Sequence, residues 1–282
     1  MKRISFFAVV AVLSAVLVVL GAAAPATAAE LHTETVKAWN EYIASREKQI
    51  SVELNSSKGF LVMDFQNQRE ADAERRAVLA GKISVKRMDS AAVKSNFQIS
   101  GGTIHHWRGA VFIPNVPYEF AMYRIRHPEL ETEIQEDVLE SRVMERSSPD
   151  KYRLFLKLKR TQIITVVYNT EHLAVFNKHG DDKHSSSSAA VKIAELEQSG
   201  GVEREKPVGK DNGFLWRMNS YWRYQNVPGG VLVECETITL SRSIPFLLEG
   251  LTRPIINSVA GESMERTLRE LRERMIRAAK AV

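Results

Sequence analysis

The spacing of apolar and polar positions divides the chain into a helical beginning, a long β region and a helical end. Over "TETVKAWNEYIASREKQI" (33–50), Val36, Trp39, Ile43 and Ile50 recur at near-helical spacing, and Thr33 with Glu34 marks the start. "GFLVMDF" (59–65) reads as a short strand, "READAERRAVLAG" as a helix stopped by Gly81, and 82–100 as extended chain. From Gly101 the period shortens to two. "GGTIHHWRGAVFIP" is a strand closed by Pro114, "VPYEFAMYRI" a short helix begun at Pro117, and "DVLESRVMER" a further strand. In "KYRLFLKLKR", Tyr152, Leu154, Leu156 and Leu158 share one side, and the β-branched run "QIITVVYNTEHLAVF" follows after a short turn. "HGDDKHSSSS" reads as a polar loop, "AAVKIAELE" as a strand and "QSGGVEREKPVGKDNG" as a longer loop. Residues 244–259, with Pro245, Gly250 and Pro254, read as a broken stretch. In the "ESMERTLRELRERMIRAAKAV" that ends the chain, Met264, Leu268, Leu271, Met275, Ala278 and Val282 form one apolar stripe.

The segment "GFLWRMNSYWRYQNVPGGVLVECETITLSR" (213–242) predicts two alternating strands around a Pro-Gly-Gly turn. With the turn at Val227–Gly230, Tyr224 falls near Val231 and Tyr221 opposite Glu234. One face then carries Phe214, Trp216, Met218, Trp222 and Tyr224 against Val233 and Cys235. The other brings Arg217 and Arg223 beside Glu234 and Glu236. Two readings of the aromatic face stay open: a packed core under the last helix, or the lining of a ligand cavity whose rings also offer N–H and O–H groups. The charged face reads as a solvated ladder, each pair worth about 0–1 kcal/mol. In a variant with the faces reversed, Arg223 and Glu234 would sit inside and hold a polar head.

The first residues change the picture of where this domain works. Lys2 and Arg3 precede an apolar run to about Ala24, and Ala26-Thr27-Ala28 is a small-x-small site, so 1–28 reads as a signal peptide and the protein as exported, periplasmic or extracellular. About 254 of the 282 residues then remain, enough for one large domain. Loss of Lys2 and Arg3 leaves +3 of the formal +5, with Arg and Glu interleaved at the C-terminus, which argues against a nucleic-acid partner. Cys235 is the single cysteine, so no intrachain disulfide forms.

Reactive chemistry is scarce. His105 and His106 are adjacent on a strand and diverge, one inward and one toward solvent, so they cannot share a metal. His179, Asp181, Asp182 and His184 fall in what reads as a mobile loop, without metal-site spacing. There is no nucleophile elbow and no phosphate loop, and Cys235 lies beside two glutamates that raise its pKa. No catalytic residue, metal or cofactor is expected.

Three phrases, "IHHWRGAVFIPNVPYEF", "FLWRMNSYWRY" and "GGVLVECETITLSRSIP", precede a terminal amphipathic helix, and in this order they resemble bacterial members of the START-like (SRPBCC, Bet v 1-like) helix-grip superfamily. The resemblance covers roughly 101–282. It implies an α+β fold in which a curved antiparallel sheet grips a long C-terminal helix around a hydrophobic tunnel, with 29–100 as a largely helical extension. It also implies binding or transfer of a lipid or other apolar small molecule. Expected lining residues are Trp107, Trp216, Met218, Trp222, Tyr224, Cys235, Met264, Leu268 and Leu271, with His105, Arg223 and Glu234 as candidates for a polar head. Gly250, Pro254 and Gly261 are the expected gate, and the mixed-charge face of the last helix is compatible with transient membrane contact. A cyclase- or hydrolase-type enzyme in the same scaffold, and an envelope interaction protein with a filled core, are the alternatives.

Overall fold

The computed structural model describes residues 31–88, 97–130, 137–161, 165–199, 202–207, 210–243 and 246–281. The expected signal peptide lies outside them. Helices α1 (Thr33–Leu54) and α2 (Gln68–Leu79) come first, separated by a 3-10 turn at Val62–Phe65. That turn replaces the strand expected at 59–65. The Asp64 carboxylate accepts the N–H groups of Phe60 and Leu61, each at 2.9 Å, which curls the chain before it can extend. Gly81 follows α2 at φ 97°, a left-handed conformation that ends the helix.

Among the described residues ten strands follow: β1 (Ser84–Arg87), β2 (Phe97–Ile99), β3 (Gly102–Pro114), β4 (Val138–Ser148), β5 (Lys151–Thr161), β6 (Thr165–Lys178), β7 (Lys183–Ser199), β8 (Val202–Glu205), β9 (Arg217–Val227) and β10 (Gly230–Arg242). Helix α3 (Tyr118–Arg126) separates β3 from β4. They form one open, curved antiparallel sheet in the order β1-β3-β10-β9-β7-β6-β5-β4, with β2 on β3 and β8 on β7. The sheet therefore takes its first two strands from the segment expected to lie outside it. Two loops of the sequence reading are also strand. The serine run belongs to β7, paired with β6 and β9, and "VERE" folds back on β7 as β8.

The β9–β10 hairpin turns at Pro228-Gly229, with Gly229 at φ 87°, the sign required at the second position of a type II turn. A Cβ on Gly230 would stand 2.1 Å from the Ile113 carbonyl oxygen, so only glycine lets β10 close on β3 there. Tyr224 faces Val233 and Tyr221 faces Glu236, a shift of two from the expected pairing, because the loop is only two residues long. An even shift preserves the faces. It does move Arg217 opposite Leu240, away from both glutamates.

Helix α4 (Phe246–Lys280) runs unbroken through Gly250, Pro254 and Gly261, so the expected break is absent there; Pro245 lies outside the described residues. Proline removes only its own donor, and turns on both sides carry a helix of this length past it. The stripe of Met264, Leu268, Leu271 and Met275 is buried against the concave face with Val111, Ile113, Val231 and Val233. A Cβ on Gly109 would lie 2.5 Å from Leu268 Cδ1 and 2.8 Å from Met264 Cγ, so the helix seats directly on β3 at that glycine.

Candidate functional site

Both faces of the central strands are covered, and they are built from different chemistry. The convex face of β3, β10 and β9 lies under α1, α2 and the 3-10 turn, with Trp39, Ile50, Ile104, Ile238 and Leu240 in one apolar cluster and Leu61, Met63, Val78 and Leu232 in another. Between these clusters runs a buried ionic network. Arg46 of α1 donates through Nε and Nη2 (2.6 Å) to Glu236, and through Nη1 (2.9 Å) to Glu53. Glu53 also pairs with Arg223, whose Nη1 donates to the Phe60 carbonyl at 2.8 Å. Arg108 bridges Glu234 (2.6 Å) and Glu74 (2.9 Å), and Glu74 takes further bonds from Lys86 and Ser84, each at 2.6 Å.

The charged ladder is thus buried rather than solvated. Glu234 and Glu236 are 1% and 2% exposed. Arg223 and Glu234, read as head-group candidates, face α1 and the 3-10 turn, on the side of the sheet away from α4. Glu234 also accepts the N–H groups of Val62 and Met63. Burial pushes its carboxyl up against the pull of Arg108 and Arg223. Glu74 and Glu236 are lowered to about 2: burial opposes ionisation, and the bonds from Arg108 and Lys86, or from Arg46 and His106, overcome it. His106 is buried as well, not solvent-facing, bonded to Glu236 (2.9 Å) and to the Tyr42 hydroxyl (2.6 Å). An ionised Glu236 only accepts, so His106 donates through Nε2.

Trp216 departs from its expected face. It precedes the first residue of β9, so strand alternation does not reach it, and it packs with Trp39 and Tyr221 while Nε1 donates to Asp211 at 3.1 Å.

The concave face carries the other candidates. His105, Trp107, Gly109 and Val111 on β3 align with Thr239, Thr237, Cys235 and Val233 on β10, and these with Met218, Ser220, Trp222 and Tyr224 on β9. Ser186 and Ser188 of β7 continue the rows from Trp222 and Ser220. The Trp222 and Tyr224 rings stack at 6.3 Å and 3°, and the Tyr224 hydroxyl lies 3.2 Å from Ser186 Oγ. Cys235 is buried, and burial pushes its thiol up to about 12. His105 bonds Ser241 Oγ at 2.9 Å, and burial with nearby Arg87 lowers it to about 4. Met264, Leu268 and Leu271 face this surface from α4.

Two features went unread in the sequence. Asp137, just before β4, accepts from Ser263 Oγ (3.1 Å) and from Arg266 Nε (3.1 Å) and Nη2 (2.9 Å), tying α4 to the far side of the sheet. His172 on β6 joins the concave floor, as the alternation Tyr168, Thr170, His172, Ala174 and Phe176 would have indicated. The two histidines of "HGDDKH" find protein partners: His179 bonds Ser185 Oγ at 2.8 Å, and His184 the Tyr118 hydroxyl at 2.7 Å. Among the described residues no helix is long and apolar enough to cross a membrane.

No family model and no curated protein matches the chain. Among solved structures it is similar to human StAR-related lipid transfer protein 5, at 11% identity over 86% of this chain and 98% of that one, with a TM-score of 0.42. A STAR-related lipid transfer protein of Xanthomonas axonopodis shares 16% identity over 68% and 98%, with a TM-score of 0.39. A protein of Thermus thermophilus shares 17% over 61% and 97%, with a TM-score of 0.42. The topology itself decides the fold. An open antiparallel sheet whose concave face holds one long C-terminal helix, tied to both of its sides, is a helix-grip fold.

Proposed function

We propose that the protein is an exported carrier of an apolar, lipid-like molecule held between the concave face and α4. One observation carries this reading. Met218 and Trp222 point inward from β9, yet each stays only partly buried, while α4 makes its close approaches to β3 and β1 and meets the Trp107 ring at Gly261. A helix seated on one side of a curved sheet leaves space over the other strands, and side chains that keep exposed surface there favour a ligand in that space over a filled core. Transfer of apolar surface, at about 25 cal/mol per Å², would supply most of the affinity. Export rests on the leader read at 1–28, and a mature protein beginning at Ala29 is the expected result of N-terminal sequencing.

The test is Trp222→Ala, followed by titration with a fluorescent acyl probe. Affinity falls about tenfold in a protein that still unfolds cooperatively. Unchanged affinity, or loss of folding and of binding together, would return Trp222 to the role of core residue.

A further inference from the structure

The middle of the concave floor is apolar and hydroxyl-bearing, and His172 presents there a buried imidazole with an unpartnered acceptor. His172 is 2% exposed and sits between Leu154 on β5 and Ala190 on β7. Its Nε2 lies 2.9 Å from Thr170 Oγ1, and that hydroxyl donates its only proton to the Leu156 carbonyl at 3.1 Å. Thr170 must therefore accept from His172, which fixes the proton on Nε2 and leaves Nδ1 as a bare acceptor. Nδ1 has no protein partner among the described residues. Burial lowers the imidazole to about 4, which keeps it neutral near pH 7.

The strand beside it is irregular at the same place. Ala190 pairs with His172 and Lys192 with Glu171, so Val191 is an extra residue, a bulge of the kind that re-aims a neighbouring side chain. Ser188, Ser220 and Thr237 are successive cross-strand neighbours on β7, β9 and β10, one step along from His172. No carboxylate or cationic side chain interrupts this row.

We infer that His172 Nδ1 is a positioning acceptor for the hydroxyl of an uncharged apolar ligand, of the long-chain alcohol class, in the space between sheet and α4. The inference rests on the carrier reading and narrows it. Beside His172 an anionic head would meet Leu154, Ala190 and the hydroxyl row, while the cations on this side, Arg160 and Arg266, are drawn to Asp137 at the end of the sheet. A ligand without a donor would leave Nδ1 unsatisfied, which costs more than a hydrogen bond returns.

The experiment uses the purified full-length protein and three fluorescent probes of equal chain length: a primary alcohol, its methyl ether and the corresponding carboxylic acid. The alcohol binds about tenfold tighter than the ether, and the acid binds no better than the ether. In His172→Phe the alcohol falls to the level of the ether, whose affinity is unchanged, and His172→Gln restores part of the difference. Equal binding of alcohol and ether by the unmodified protein, or preference for the acid, overturns the assignment and leaves the carrier standing. Failure to bind any of the three overturns the carrier reading itself.

Discussion

Arg46 shows how much one side chain can organise. Its guanidinium spans Glu53 on its own helix and Glu236 on β10, and Glu53 passes the contact to Arg223. Removing one partner from a buried network strands the others, at a cost of about 3–5 kcal/mol. Arg46→Ala should lower the urea midpoint accordingly, and Arg46→Ala with Glu236→Leu should recover part of the loss. A single variant within about 0.5 kcal/mol of the original stability would contradict this account of the convex face. That Arg223 and Glu234 share a face was legible from strand alternation; their direct opposition was not, because the expected register set Tyr221 against Glu234. That Arg46 and Glu53 would cover this face was not. Arg46 and Glu236 stand 190 residues apart, and an amphipathic pattern in α1 does not say which surface it meets.

At the scale of elements, strand alternation was a reliable guide wherever a strand was long and misled at its ends. It placed Trp222 and Tyr224 opposite Arg223 on β9 but failed at Trp216, one residue before that strand starts. The serine run of β7 is strand because β6 and β9 satisfy its backbone on both sides, a cause that lies outside the segment. The stripe of α4 was plain. Its seat at Gly109 was hidden, since a glycine in a strand does not announce what approaches it. Gly109→Val should lift Leu268 and Met264 from β3 and cost about 1–3 kcal/mol through overpacking. Thermal unfolding is the check, and an unchanged melting temperature would mean that the helix is not seated there.

For the whole molecule, the buried titratable groups give acid sensitivity with a definite sign. His105 and His172 fall from the ordinary 6.5 to about 4 in the folded state, so the unfolded chain takes up protons first. Their contribution is complete above pH 6.5 and is lost as pH falls to 4. Glu74 and Glu236, lowered from 4.5 to about 2, contribute fully above 4.5 and lose it toward pH 2. Glu234, raised by burial, offsets part of this. Urea midpoints should therefore fall from pH 6.5 downward and more steeply below 4.5, and a midpoint flat to pH 4 would be inconsistent with neutral buried imidazoles. The architecture was legible from the order of elements. Its division of labour was not: apolar and hydroxyl groups toward α4, an ionic layer under α1 and α2.

The carrier reading meets its most direct test in native mass spectrometry, with organic extraction, of mature protein purified without detergent. The account predicts a reproducible apolar adduct near one per chain, released by extraction as an uncharged molecule bearing a hydroxyl. Protein that is isolated bare and also takes up no lipid from liposomes would contradict it.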